Sequence, residues 1–130
     1  MKMRGVIQAV AGAAMALAFM AAPALAQNWP VKPVKLIVPF PAGGSADTLS
    51  RIVTQELQEK TGQAFVVENR TGAGGNIGTD AVAKAPPDGT TLLLTPSSIA
   101  IAPALYEKLT WDPVKDFAPV TLLGSIPMVV

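Results

Sequence analysis

Two glycine-rich turns and one serine pair hold the residue types in this chain that can do chemistry. The first turn is Pro39-Phe40-Pro41-Ala42-Gly43-Gly44-Ser45, between an apolar run (Val34, Leu36, Ile37, Val38) and an amphipathic helical pattern. A turn of this kind leaves backbone N–H groups unpaired at the positive end of the helix dipole, a natural seat for a carboxylate or phosphate. Gly43 and Gly44 allow a ligand to approach the backbone closely, and Ser45 either caps the helix or donates to the anion. Pro39 and Pro41 stiffen the approach, which lowers the ordering cost of binding. An ordinary tight turn, whose glycines serve geometry alone, fits the same residues. Asp47 has two readings: a solvated first-turn acid that complements the dipole, or a secondary contact to a ligand through a hydroxyl, ammonium or water.

The second turn, Gly72-Ala73-Gly74-Gly75-Asn76-Ile77-Gly78, also follows a strand pattern and opens a helix. Its G-x-G-x-x-x-G spacing is not the dinucleotide fingerprint and no P-loop lysine follows, so it reads as a packing turn. Ser97 and Ser98 follow the third strand pattern, at the carboxyl edge where open α/β sheets bind ligands. Their hydroxyls either cap the next helix or reach the same anion.

Much chemistry is excluded. With no His and no Cys, the serine and cysteine triads, thiolate and imidazole metal sites and disulfides are unavailable. The nine acidic residues are scattered, with no calcium loop and no close carboxylate pair. No cofactor and no metal is expected, and binding is favoured over catalysis.

These turns need elements to position them. A strand is expected over 34–40 and a helix over 46–61, with Ser45 as N-cap and Leu49, Ile52, Val53 and Leu57 on its apolar face. Gly62 is the expected stop. Further strands are expected over 64–68 and 91–95, a short helix over 77–85, and another short helix through Tyr106. A loop follows over 110–116, then one or two strands over 117–123 and 126–130. Strands alternating with helices imply an α/β fold with a parallel sheet covered on both faces.

The start of the chain reads as an export signal. Lys2 and Arg4 precede an apolar run over 6–22, and Ala24-Leu25-Ala26 forms a small-x-small cleavage site. Cleavage after Ala26 removes two basic residues and leaves eight against nine acidic ones. That balance offers no electrostatic case for nucleic acid. An exported chain without cysteine suits a bacterial periplasm.

Three segments, PFPAGGSADTLSR, VVENRTGAGGNIGTDAVAKAPPDGTTLLL and PALYEKLTWDPVKDFAPVTLL, together resemble the Bug (TctC-type) family. These are periplasmic solute receptors of tripartite tricarboxylate transporters. The resemblance implies a two-lobed type II periplasmic-binding-protein fold, a Venus flytrap, longer than this chain. It also implies a small organic acid held between the lobes: a di- or tricarboxylate, an acidic amino acid or an aromatic carboxylate. The first-loop contacts carried over are Phe40, Pro41, Ala42, Gly43, Gly44, Ser45 and Asp47, with Ser97 and Ser98 in a later loop. The partners implied are the inner-membrane permease subunits. On this reading residues 27–130 are the first part of the N-terminal lobe, incomplete and cut at the crossover to the second. The rival expectation is an exported α/β enzyme scaffold whose catalytic residues lie beyond Val130.

Overall fold

The computed structural model describes residues 29–125. The export segment and the strand expected over 126–130 lie outside these residues. The element order is β1 (Val34–Val38), α1 (Ser45–Thr61), β2 (Phe65–Asn69), a 3-10 turn (Ala73–Gly75), α2 (Asn76–Ala83), β3 (Thr91–Leu93) and α3 (Ser98–Leu105).

All three strands are parallel, in the order β2-β1-β3. Val34 pairs with Phe65 and Val38 with Asn69, while Lys35 to Ile37 run beside Thr91 to Leu93. A strand flanked on both sides and covered on both faces reads as a nearly unbroken apolar run. β1 fits that description, since every residue except Lys35 is buried. The Lys35 ammonium lies 3.2 Å from Glu68 on β2. Right-handed crossovers place successive helices on opposite faces when the chain leaves β1 in one direction and returns past it in the other. α1 accordingly packs on β1 and β2, and α2 on β1 and β3.

The buried side of α1 is not the expected one. Asp47, Ser50 and Thr54 face the sheet, whereas Leu49, Val53 and Leu57 are half-buried and Ile52 is 58% exposed. Short hydroxyl side chains let a helix lie close to a sheet, provided their polar atoms are satisfied. Here the Ser50 hydroxyl donates to the Asp47 carbonyl at 2.6 Å and the Thr54 hydroxyl to the Arg51 carbonyl at 3.1 Å. The helix stops as expected at Gly62, whose φ of 71° is left-handed and whose N–H donates to the Gln58 carbonyl.

Two further expectations change. Ser45 is not the cap: the N-cap is Gly44, without a side-chain cap bond, and Ser45 is the first helical residue. Nor is there a strand over 117–123. Phe117 instead packs edge-on against the buried Trp111, ring centroids 5.9 Å apart, and residues 118–125 are exposed. Pro119 lacks the N–H that a ladder requires. Among the described residues no strand pairs with the outer edge of either β2 or β3.

Candidate functional site

Because the strands are parallel, the loops after β1, β2 and β3 all emerge at one edge of the sheet. The order β2-β1-β3 also puts the topological switch point between β1 and β3, where doubly wound sheets form their ligand crevice. The Leu94 N–H donates to the Ile37 carbonyl at 2.9 Å, so the loops bearing Phe40 to Ser45 and Ser97-Ser98 leave the sheet side by side.

The first loop rests on the second glycine turn. Pro39 is fully buried. A methyl group on Gly78 would lie 2.6 Å from the Arg70 carbonyl oxygen and 2.9 Å from the Pro39 Cβ. The Phe40 ring touches Gly75. The second turn therefore serves close packing beneath the first loop, as its spacing suggests. Tyr106, at the end of α3, brings its hydroxyl against Gly74 in the same cluster.

Pro41, Ala42, Gly43, Gly44 and Ser45 are exposed at the rim, with Phe40 half-buried below them. Gly43 turns the chain with φ +84°, and nothing surrounds its Cβ position. Its N–H is not free, because it donates to the Asp47 Oδ2 at 2.8 Å. Among the described residues, no acceptor meets the amides of Gly44 and Ser45. With the equally unmet amides of Ala46 and Asp47, they are the donors that the N-terminus of this 17-residue helix leaves for an anion.

Asp47 is not the solvated acid of the first sequence reading: it is 4% exposed, and both its oxygens already accept hydrogen bonds from the protein. The Oδ2 also accepts from Arg51 Nε at 3.0 Å. The Oδ1 accepts from Asn69 Nδ2 at 3.0 Å, and the same amide donates to the Phe40 carbonyl at 3.1 Å. The Arg51 bond, then the Gly43 N–H and then Asn69 hold the carboxyl down to about 2. Arg51 and Asn69 were absent from the expected site. Arg51 stands four residues from Asp47, a helical ion-pair spacing legible in the sequence, whereas Asn69 joins only through strand pairing.

Ser97 and Ser98 stand at the start of α3, but no side-chain cap bond forms there. The capping explanation for the pair is thus not seen. The geometry as a whole can hold an anion by backbone amides of the first helical turn and the helix dipole. Among the described residues no cluster of acids could hold a metal ion.

The TctC model, the tripartite tricarboxylate transporter family receptor, matches residues 49–130. Protein BugT of Bordetella pertussis is 46% identical over 123 residues, which cover 93% of this chain and 38% of that protein. The structure of the periplasmic binding protein BugD superposes with a TM-score of 0.67 at 42% identity, over 70% of this chain and 30% of that one. MatC from Rhodopseudomonas palustris, solved with bound malate, gives a TM-score of 0.67 at 44% identity, over 73% and 33%. The chain thus spans about a third of the length of the curated relatives it matches. Its α/β lobe is that of periplasmic binding proteins, and the chain belongs to the TctC family of tripartite tricarboxylate transporter receptors.

Proposed function

We propose that this chain is part of a periplasmic receptor, not an enzyme, that captures a small carboxylated anion for a tripartite transporter. The observation that carries the reading is the pair of unmet amides at Gly44 and Ser45, on a loop already fixed from below by Asp47. The malate bound in MatC, a relative of the same fold, supports a carboxylate as the anion class. Phe40, Pro41 and Ala42 shape the loop's wall, and Ser97 and Ser98 supply hydroxyls at the neighbouring rim. Residues 1–26 serve as a signal cleaved after Ala26, and residues 27–130 form the first part of one lobe. The remaining length of the relatives would supply the second jaw, and closure on the ligand the state read by inner-membrane permease subunits. Titration calorimetry of the whole gene product against di- and tricarboxylates, acidic amino acids and aromatic acids tests the reading. Binding of a carboxylate from this set is the expected result. Binding of a neutral sugar with no carboxylate binding would overturn it.

A further inference from the structure

We propose that Asp47, Arg51 and Asn69 are positioning residues of the anion seat, which lock the loop and cancel the charge of Asp47 without touching the ligand. The inference rests on the receptor reading above and deepens it.

Three observations carry it. Asp47 is almost wholly buried in the first turn of α1, yet ionised, and it receives donors from three separate pieces of backbone: Gly43 in the loop, Arg51 one helical turn on, and Asn69 at the end of β2. Asn69 ties the loop a second time through the Phe40 carbonyl, and the Arg51 guanidinium reaches the Asn69 Oδ1 at 3.4 Å. The chain from Phe40 to Asp47 is therefore pinned at both ends to a strand and a helix. The amides left over at this terminus are those of Gly44, Ser45, Ala46 and Asp47, before the first helical bond from Thr48 to Gly44.

The charge matters as much as the geometry. An unpaired carboxylate in the first turn would repel a carboxylate arriving at the same helix terminus. The Arg51 Nε bond to the Oδ2 compensates that charge at the point where it would act. The latch thus spends the Gly43 amide on an internal bond and, through Arg51, leaves the terminus attractive to anions. Removing Arg51 should accordingly do more than loosen the turn: it should expose the ligand to a negative group.

The experiment uses the whole gene product, titrated with the calorimetric set of di- and tricarboxylates, acidic amino acids and aromatic acids, with the tightest binder carried forward. Arg51→Gln is expected to weaken that binding by about tenfold or more, in the range typical of residues that only orient contacting groups. The double variant Asp47→Asn with Arg51→Gln removes the uncompensated charge but keeps an acceptor for Gly43, and most of the affinity is expected to return. A purely structural role predicts no such recovery. Equal affinity of R51Q and wild type, or a double variant no better than R51Q, overturns the proposal. Should R51Q not fold, Asn69→Ala decides: it leaves both charges in place, an approximately tenfold loss is expected, and undiminished affinity overturns the proposal. If wild type binds no acid of that set and binds a neutral sugar instead, the receptor reading fails and this inference with it. Normal wild-type binding with unaffected variants overturns this inference alone.

Discussion

Asp47 is ionised, buried and fully bonded, and its acid–base behaviour follows from that combination. Its carboxyl sits at about 2 in the folded protein against an ordinary value of 3.8, chiefly through Arg51 and then through Gly43 and Asn69. A folded value below the unfolded one means the folded state binds the proton less readily. Its share of stability is complete above pH 3.8 and drains away as the pH falls toward 2. Urea midpoints measured across that range should fall less steeply for Asp47→Asn than for wild type. Parallel curves for the two proteins would mean the carboxylate is not held as described. Packing gives a second prediction at this scale. Gly78→Ala places a methyl 2.6 Å from a backbone carbonyl that cannot swing aside. A loss of about 1–3 kcal/mol is expected, typical of overpacking, read from a denaturant series. The sequence showed the glycines and the acid, but it could not show the bond from Asp47 to Asn69, 22 residues away. That contact exists only because β1 and β2 lie side by side in one register.

Among the elements, β1, α1, β2, α2 and β3 were legible because each has its own punctuation. Apolar runs end in glycine or proline, and helical periodicity starts and stops at Gly44 and Gly62. The orientation of α1 was not legible. Leu49, Ile52, Val53 and Leu57 satisfy helical spacing, yet the sheet selects the face that carries Ser50 and Thr54. Periodicity finds a stripe; it does not say which neighbour takes it. The region after Trp111 failed for a different reason: Phe117 turns in against Trp111, and Pro119 lacks the N–H a ladder needs, so an apolar run stays irregular beside sheet edges left open among the described residues. The helix stop gives a prediction for this scale. Gly62→Ala meets no neighbouring atom, so only the left-handed backbone is strained. A loss of about 1 kcal/mol is expected, seen as a lower melting temperature, with carboxylate affinity unchanged. A large fall in affinity would mean that α1 shifts when its far end is strained.

For the described residues as a whole, the core is small and centred on one strand. Val34, Ile37 and Val38 are nearly inaccessible, with Leu36, Phe65, Ala102 and Trp111 around them. Ile37→Ala should therefore cost about 2–5 kcal/mol, as large-to-small changes in a packed interior do. A smaller loss, measured by denaturant unfolding, would indicate a loosely filled centre. Large apolar side chains such as Ile52, Val66, Ile77 and Ile101 remain exposed around that centre. The α/β class and the parallel sheet were readable from alternating elements. The strand order was not, because the choice between β2-β1-β3 and a sequential order depends on crossovers that leave no mark on composition.

The middle place of β1 has a consequence for how the protein fails on heating or in denaturant. Its carbonyls and amides are sheltered by a neighbour on each side, and the proposed anion seat follows directly from its end. Amides bonded into the most protected part of a structure exchange through its global opening, whereas those of exposed, unbonded stretches exchange through local openings. Deuterium uptake at Gly43, whose amide is tied to Asp47, should track that of Ile37, not that of the exposed stretch after Phe117. With that outcome, the turn would lose its shape in the same event that melts the sheet; faster exchange at Gly43 than at Ile37 would show that it opens on its own.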